Sequence, residues 1–190
     1  MEFVCGFGSA SSSSRLPDAS QEEAFFDLVA LLPRGRSLDL ETGQGVFAGL
    51  ASSLGFSAVG VDLREEAVFE ARRNYPDAVF AAANSRKLPL RWKREFALVS
   101  LMSGGLSRFD DAGKRKVLRS AASALKSGGF LVVSDWNRCG GVPGCKKTGR
   151  DWKECRCAGE LAGIVGDDFE VKKVVTYYGS KMFVLLAEKL

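Results

Sequence analysis

The sequence predicts an α/β fold, a doubly wound, Rossmann-like and mostly parallel seven-stranded sheet that ends in a C-terminal antiparallel hairpin. Short apolar strand patterns alternate with helical patterns between residues 20 and 135, as they do in successive βαβ units. The pattern at 96–101 is apolar at nearly every position, which is typical of a strand buried on both faces. Two strand patterns then follow each other directly, at 169–176 and 181–188, and these predict the hairpin.

Length and composition fit one domain. The chain has 190 residues, of which 46% are hydrophobic and 26% charged, enough for one sizeable core and too few for two ordinary domains. Residues 1–20 are rich in serine and glycine and are expected to be a flexible segment; alternatively, their apolar start folds over a ligand as a lid. Residues 21–190 are expected to form the single domain.

The first helix is predicted to begin after Ser20. Glu23 lies three residues later, so the two residues can form a capping box. Pro33 and Gly35 are expected to end the helix. The apolar residues between them recur at helical spacing: Ala24, Phe25, Leu28, Val29 and Leu32.

Strands and helices then alternate along the chain. Strands are predicted at 36–40, 57–62, 79–82, 96–101 and 129–134, and helices at 45–54, 65–74 and 110–125. In the helix at 45–54, we expect Val46, Leu50 and Leu54 to face the sheet. In the helix at 110–125, four basic residues are expected to be largely exposed: Lys114, Arg115, Lys116 and Arg119. An insertion rich in Gly, Cys and Lys at 137–158 and a short helix near 158–165 precede the hairpin.

The first two strands end in residues that suit a nucleotide cofactor. Strand one runs into Glu41-Thr42-Gly43-Gln44-Gly45, and strand two ends at Asp62. Glycines are needed where the backbone passes close to a ligand, and a carboxylate at the next strand end suits a ribose diol. Since ligands of such sheets bind beyond the carboxyl ends of the strands, one crevice is expected to collect these strand-end residues: Glu41, Asp62, Asn84, Leu101 and Asp135.

The order of these motifs resembles that of class I S-adenosylmethionine-dependent methyltransferases, in particular small single-domain members of the type 11 kind. Asp39, Gly43 and Gly45 match the family's first motif, Asp-x-Gly-x-Gly-x-Gly, while Glu41 stands at its first glycine. Three later segments, 83–90, 96–101 and 126–135, resemble the family's Gly-Asp-Ala-x-x-Leu-Pro-Phe segment, its fourth strand, and its Leu-Lys-Pro-Gly-Gly turn with the fifth strand. The resemblance covers roughly residues 35–135.

The resemblance implies cofactor contacts for S-adenosylmethionine. Asp39 and the backbone of Gly43 and Gly45 would face the methionine moiety, Asp62 would accept hydrogen bonds from the ribose hydroxyls, and Asn84 with Ser85 would flank the adenine. Glu41, at a position where the backbone normally approaches the cofactor, must point away or meet the ligand's amino group. The predicted binding set is completed by three neighbours: Thr42, Leu63 and Leu101.

The chain contains no histidine. This excludes Ser-His-Asp and Cys-His nucleophile systems, a histidine base and histidine-ligated metals. At the family's fourth motif, where a histidine is common, Ser107 and Arg108 stand instead. Asp135, at the end of strand five, is the candidate carboxylate for orienting or deprotonating an acceptor; capping the next loop is the alternative role.

A nicotinamide-dependent oxidoreductase is the competing enzyme class. Residues 43–48 also fit Gly-x-Gly-x-x-Ala, the turn of dinucleotide-binding folds, although Glu41 and Thr42 separate it from the strand. Tyr177 and Lys181 have the Tyr-x-x-x-Lys spacing of short-chain dehydrogenases. Those two side chains need one helical turn, whereas the β-forming neighbours and Gly179 favour a strand and a turn.

The insertion contains four cysteines that could ligate zinc: Cys139, Cys145, Cys155 and Cys157. Four thiolates would satisfy a tetrahedral Zn²⁺. The spacing C-x5-C-x9-C-x-C lacks the usual knuckle pairs, so free cysteines are the simpler interpretation and zinc is not favoured. The same insertion has six basic residues with Trp136 and Trp152 at its margin or within it, an arrangement that suits either nucleic acid or a solvated loop.

The remaining composition permits several partners. The net charge of +4 allows an anionic partner such as nucleic acid without requiring one. No apolar run approaches the length of a membrane span, and a cytoplasmic location is expected. The oligomeric state stays open. The motifs, the family resemblance and the cysteines together leave three functional hypotheses. They are a methyltransferase acting on a small-molecule or macromolecular acceptor, a cofactor-binding module without catalysis, and a zinc-containing nucleic-acid methyltransferase.

Overall fold

The computed structural model describes residues 20–136, 163, 168–177 and 182–190. The predicted amino-terminal segment before Ser20, the insertion at 137–158 with its four cysteines, and all of the predicted helix near 158–165 except Gly163 lie outside the described residues.

The elements follow the predicted alternation. In chain order they are α1 (Gln21–Val29), β1 (Arg36–Leu40), α2 (Val46–Ser53), β2 (Ser57–Asp62), α3 (Glu65–Asn74), β3 (Val79–Ala82), β4 (Phe96–Leu101), α4 (Asp111–Ala124), β5 (Leu125–Trp136), β6 (Phe169–Tyr177) and β7 (Met182–Lys189). Two short 3-10 turns, Leu90–Trp92 and Gly105–Arg108, precede β4 and α4.

Within the described residues the strands form one seven-stranded sheet in the order β3-β2-β1-β4-β5-β7-β6. The pairs β1 with β2, β1 with β4, β2 with β3 and β4 with β5 are parallel. Strand β7 is antiparallel to both β5 and β6. This topology confirms the predicted mostly parallel, Rossmann-like sheet with its closing hairpin.

Helices cover both faces of the sheet. On one face, α1, α2 and α3 contribute Phe25, Ala48 and Val68 to a buried apolar cluster. On the other face, α4 contributes Val117 and Leu118 to a second cluster. Because β4 lies in the middle of the sheet, it contributes to both clusters, Leu98 to the first and Phe96, Val99 and Leu101 to the second, and all six residues of the strand are buried.

The start of α1 is fixed as predicted and is also tied to the sheet. Ser20 and Glu23 form the capping box, with Ser20 Oγ accepting from the Glu23 N–H at 3.2 Å and Glu23 Oε2 accepting from the Ser20 N–H at 2.8 Å. Gln21 Oε1 accepts from the backbone N–H of Ser103 at 3.0 Å and from its hydroxyl at 3.2 Å. These bonds hold the first turn of α1 beside the loop that follows β4.

Two local expectations were wrong. In α2 the fully buried side chains are Phe47, Ala48 and Ala51, whereas the three residues expected to face the sheet are only partly buried beside them. This helix packs against β1 and β2 and also against α1, so its contact face is broader than one stripe. Strand β5 begins at Leu125 and not at 129, with α4 ending at Ala124, because Gly128 at φ +69° and a register shift opposite Phe96 let the pairing extend through the turn.

Candidate functional site

The candidate site lies where the strand order reverses. The chain passes from β1 to β2 and β3 on one side and then returns to place β4 on the other side of β1. In doubly wound sheets, a crevice opens at this point beyond the carboxyl ends of the strands. The loops after β1, β2, β3 and β4 converge there.

A direct hydrogen bond joins the ends of β1 and β2. The N–H of Gly43 donates to Asp62 Oδ2 at 3.0 Å. Gly43 has φ +55°, and a Cβ at this position would have no other atom within 4 Å. The turn is therefore open on the side where a ligand must approach, and the carboxylate expected to hold a ribose is beside it.

The other glycine of the turn is closed in from below. Gly45 has φ +90°, and a Cβ there would lie 2.8 Å from Phe80 Cζ and 2.9 Å from Ala71 Cβ. A side chain would collide with both residues and would also need a conformation that L residues rarely adopt. Gly45 thus lets the turn sit directly on α3 and β3, while Gly43 leaves its outer surface clear.

Asp62 is buried and heavily hydrogen-bonded. Besides the Gly43 N–H, its Oδ1 accepts from the Arg64 N–H at 3.0 Å and from Arg64 Nε at 3.2 Å, and Arg64 Nη2 lies 3.4 Å from Oδ2. Burial alone would raise the pKa of Asp62. The bonds from Arg64 and Gly43 outweigh burial and hold the pKa below its usual value, so this carboxylate stays ionised at neutral pH.

Asp39 is buried beneath the same turn. Its Oδ2 accepts from the Thr42 hydroxyl at 2.6 Å and its Oδ1 from the Ser100 hydroxyl at 2.7 Å. Burial raises the pKa of Asp39 to about 6, against the opposing effect of these bonds and one from the Ala48 N–H. The carboxylate therefore ties β1, β4 and the turn together, and its direct contact with a methionine moiety stays a prediction.

Glu41 adopts a conformation that normally belongs to glycine. Its φ is +56°, in the left-handed region that costs a non-glycine residue roughly 1 kcal/mol. The side chain points toward the end of β3, where Glu41 Oε1 accepts from the buried Ser85 hydroxyl at 2.5 Å. The backbone thus has a conformation that glycine adopts readily, at the position where the family's first motif has a glycine, and the carboxylate bridges the loops after β1 and β3.

The loop after β4 packs against Glu41. A Cβ on Gly105 would lie 3.3 Å from both Glu41 Cβ and Leu101 Cδ1, so the small residue allows the two loops to approach. Of the fourth-motif positions, Ser107 donates its hydroxyl to the Gly104 carbonyl at 2.7 Å and Arg108 is exposed. Ser107 is therefore bonded within its own turn.

The remaining predicted residues also lie at the carboxyl ends of the strands, but their side chains differ in exposure to solvent. Leu63 is 61% exposed beside Asp62, whereas Leu101 is 1% exposed and belongs to the core. Asn84 is half-buried, and its Oδ1 accepts from the Arg86 N–H at 3.0 Å. Asp135, 9% exposed, lies at the end of β5 and pairs in register with Phe183. The structure thus brings the predicted strand-end residues together along one edge of the sheet.

Two residues of this site, Ser100 and Arg64, were not predicted from the sequence. Ser100 is the polar position in the otherwise apolar pattern of β4, and that exception was the available signal for its bond to Asp39. Arg64 follows Asp62 by two residues, but nothing in the local pattern distinguishes it from an ordinary exposed arginine. Its pairing with Asp62 depends on the side-chain conformation in the folded structure.

The structure also bears on the predicted dehydrogenase pair, the zinc candidates and a possible membrane-spanning helix. Tyr177 ends strand β6, so it does not lie on the helix that a dehydrogenase Tyr-x-x-x-Lys pair needs. No group of three or more His, Cys, Asp or Glu side chains suitable for a metal occurs among the described residues, and the four zinc candidates lie outside them. In the described part of the chain, no helix is both long and apolar enough to cross a bilayer.

Several solved structures with a similar fold are methyltransferases. A TehB-like SAM-dependent methyltransferase from Corynebacterium glutamicum has a TM-score of 0.65 at 21% identity, with 89% of this chain and 87% of that chain covered. The CcbJ methyltransferase from Streptomyces caelestis has a TM-score of 0.69 at 18% identity, covering 89% and 94%. The glycopeptide N-methyltransferase MtfA, complexed with S-adenosylmethionine, has a TM-score of 0.69 at 16% identity, covering 94% and 100%. These identities establish likeness of fold.

The family follows from a sequence comparison. No curated protein matches the chain significantly, but the family model described as "Methyltransferase domain" matches residues 18–164, which is most of the chain and includes every predicted cofactor residue. This confirms the resemblance to S-adenosylmethionine-dependent methyltransferases and the predicted enzyme class, with the acceptor unidentified. The chain belongs to the methyltransferase domain family.

Proposed function

We propose that this protein binds S-adenosylmethionine in the crevice at the ends of β1 to β4 and transfers its methyl group to an acceptor that enters beside β4 and β5. The observation that carries the proposal is the hydrogen bond from the Gly43 N–H to Asp62. It places an open glycine turn and an ionised carboxylate side by side, as a ribose and its attached chain require.

Each crevice residue has a role in this proposal. Asp62 accepts from the ribose hydroxyls, the exposed Leu63 covers the adenosine, and Asn84 with Ser85 borders the adenine. Asp39 stays beneath the turn and fixes its shape. Asp135 orients the acceptor at the end of β5 and is the candidate catalytic residue.

The bound cofactor would supply a methyl group made electrophilic by the sulfonium. The chain's own contribution is then to hold two partners in line and to keep water away. No strong base is required for this task, which agrees with a chain that has no histidine. The acceptor remains a small molecule or a macromolecule, and the domain boundaries at 21–190 and the cytoplasmic location expected from the sequence remain part of the proposal.

A cofactor-binding module without catalysis is the second candidate. Two observations favour it: Ser107 and Arg108 stand at the fourth-motif positions where the family often has a histidine, and the Ser107 hydroxyl is bonded within its own turn to the Gly104 carbonyl. Cofactor binding itself would be weakened, without being prevented, by the Arg64 pairing with Asp62 and by the negative charge of Glu41.

Isothermal titration with S-adenosylmethionine and with its demethylated product, S-adenosylhomocysteine, tests the proposal. We expect both to bind the wild type, and we expect Asp62→Ala to bind them roughly a thousandfold more weakly. A thermal unfolding scan, in which some loss of stability is expected because Asp62 accepts bonds from Gly43 and Arg64, checks that the variant is still folded at the temperature of the titration. Absence of binding to either compound would remove the proposal. Binding without transfer of a labelled methyl group to any member of a broad acceptor panel would favour the module.

A further inference from the structure

Charge is unevenly distributed along the chain. Residues 86–126 contain eleven basic and three acidic residues, whereas residues 20–85 contain five basic and ten acidic ones. The helices α1 and α3, which carry much of the acidic excess, lie on one face of the sheet, and α4 lies on the other. The excess of basic residues therefore lies on the side of the molecule that carries α4, and it is not spread evenly over the surface.

Backbone hydrogen bonds bring two basic segments together on that side. The N–H groups of Arg94 and Glu95 donate to the carbonyls of Ser123 and Ala124 in α4, both at 2.9 Å, and the Leu88 N–H donates to Ser120 Oγ at 3.4 Å. The segment 88–95 thus lies along one flank of α4.

The same flank of α4 carries two cations. Lys116 precedes Ser120 by four residues and Arg119 precedes Ser123 by four, so each shares a helix side with a residue that bonds the segment. We define the basic face by six exposed residues: Lys87, Arg91, Lys93, Arg94, Lys116 and Arg119.

The cations of this face form no ion pairs with carboxylates of the described residues. The one acidic residue of the segment, Glu95, is bonded to Arg36 at 2.6 Å. Lys189, which donates to the carbonyls of Ala122 and Leu125, has a pKa lowered first by burial and then by the positive charges of Arg94 and Lys93, which together with burial outweigh the opposing charge of Asp168. The cations therefore create a positive potential that reaches a neighbouring side chain.

The face also begins at the crevice. Lys87 follows Ser85 by two residues, and the guanidinium of the intervening Arg86 lies 5.9 Å from the centre of the Phe109 ring. The exposed Arg108 lies in the turn that precedes α4. A long ligand on the basic face would therefore run toward the crevice rim.

We propose that the basic face binds the phosphate backbone of a nucleic acid. Three of its six cations are arginines, whose planar forks match phosphate oxygens. Its six exposed cations are enough to contact several phosphates of either a single strand or a duplex. The proposal concerns binding alone and does not depend on methyl transfer.

Other polyanions fit less well. Binding to an anionic membrane combines cations with several inserted apolar side chains, whereas Leu90 is the one large apolar residue among the described residues of segment 86–95 that is strongly exposed. Protein interfaces are depleted in lysine at their centre, whereas this face contains three. Extended phosphate contacts need neither an apolar anchor nor a specific partner surface.

The test compares two double variants of the full chain that remove the same charge. Arg91→Gln/Arg119→Gln removes two cations of the basic face. Arg73→Gln/Lys173→Gln removes one cation from α3 and one from β6, both outside the basic face. Binding of a fluorescein-labelled 20-nucleotide RNA of mixed sequence, and of a 20-base-pair DNA duplex, is followed by anisotropy between 50 and 300 mM salt, about the range where such contacts are strongly screened.

We expect the wild type to bind at least one probe with strong salt dependence. The basic-face variant should bind the RNA roughly tenfold more weakly, and the slope of log K against log salt should fall by about 1.4, since each lost phosphate contact removes about 0.7 for a single strand. The matched variant should keep the wild-type slope.

Three results would overturn the proposal. The first is no binding of either probe at the lowest salt. The second is equal weakening in both variants, which would indicate an effect of net charge alone. The third is tighter binding of a 20-residue polyglutamate or of phosphatidylserine vesicles than of either nucleic acid, with the same loss in the basic-face variant. Thermal unfolding of each variant checks that the substitutions leave the fold intact.

Discussion

The ends of β1 and β2 carry two buried aspartates that behave in opposite ways. Asp39 is 3% exposed and Asp62 is 1% exposed, yet burial raises the pKa of Asp39 to about 6, while the pKa of Asp62 lies below its usual value. The difference lies in their partners. Asp39 receives bonds mainly from the neutral hydroxyls of Thr42 and Ser100, whereas Asp62 receives backbone N–H bonds and a guanidinium.

This contrast separates a structural carboxylate from a binding one. An ionised carboxylate accepts from a diol and cannot donate, so Asp62 is suited to a ribose. Asp39 accepts bonds from two neutral hydroxyls and, with its pKa raised to about 6, can take up a proton close to neutral pH. Burial alone therefore does not determine the role of a strand-end acid in this fold; the charge of its hydrogen-bond donors does.

The largest effect is expected at Asp62. Asp62→Ala should weaken cofactor binding by about 4 kcal/mol, roughly a thousandfold in Kd, because two charge-assisted bonds to the ribose hydroxyls at about 2 kcal/mol each would be lost. Calorimetric titration with S-adenosylmethionine measures this change. Asp62→Asn keeps one acceptor oxygen and should fall between the wild type and Asp62→Ala; equal affinity in all three proteins would show that the ribose binds elsewhere.

A pH dependence of stability should distinguish the two acids. The pKa of Asp39 is raised from 3.8 to about 6, so the folded state binds this proton more tightly than the unfolded state. Its contribution to stability is greatest below pH 4 and is lost as the pH rises through about 6, by about 3 kcal/mol. The free energy of unfolding of the wild type, relative to Asp39→Asn, should therefore fall across this range in urea denaturation.

Asp62→Asn is the matched comparison for that experiment. Because the pKa of Asp62 is lowered, its ionised form stabilises the fold above about pH 4 and this contribution is lost as the pH falls further. The two difference curves should have opposite slopes and occupy different pH ranges. Parallel curves would contradict the contrast between the two sites.

Replacement of Glu41 separates backbone strain from its side-chain contact. Glu41→Ala and Glu41→Gly both remove the bond to Ser85, but only glycine relieves the positive φ. Glu41→Gly should therefore be more stable than Glu41→Ala by about 1 kcal/mol. Chemical denaturation of the two variants measures the difference, and equal stabilities would mean that the turn changes shape when the carboxylate is removed.

The smallest effect is expected at Arg64. Its side chain is 58% exposed while it pairs with Asp62, and such pairs contribute about 0.5 kcal/mol. Arg64→Ala removes a competitor for the ribose-binding carboxylate and should tighten binding of S-adenosylmethionine roughly twofold. The same titration, repeated with Arg73→Ala as a control, gives the comparison; weaker binding in Arg64→Ala would assign the arginine a direct contact with the cofactor.

Local sequence patterns predicted most of the helices and strands of the fold. The boundaries of β2, β3, β4 and α3 agree with the sequence to the residue, because each combines a clear period with an adjacent turn residue. The start of β5 could not be predicted, since it depends on how Gly128 lets the strand extend past its turn beside β4. Local structure was predictable where it is set by neighbours in the chain.

The same distinction between local and long-range determinants applies to the residues of the site. The glycine turn and Asp62 were identifiable because spacing and strand position define them. The bonds of Asp39 to Ser100 and of Glu41 to Ser85 join residues 61 and 44 positions apart. The polar residue Ser100 in the apolar pattern of β4 indicates a polar partner, but no sequence pattern identifies either partner, because the bonds form only when the switch point of the sheet brings the loops together.

The bond between Gln21 and Ser103 has a practical consequence for handling the protein. This bond fixes the start of α1 at the end of the sheet where the parallel strands finish and the crevice lies. Leu190 bonds to Asp168, next to the beginning of β6, at the opposite end of the strands. A fusion partner or immobilisation tag joined ahead of Ser20 would start near the crevice, so a tag after Leu190 leaves that end clear for titrations and assays.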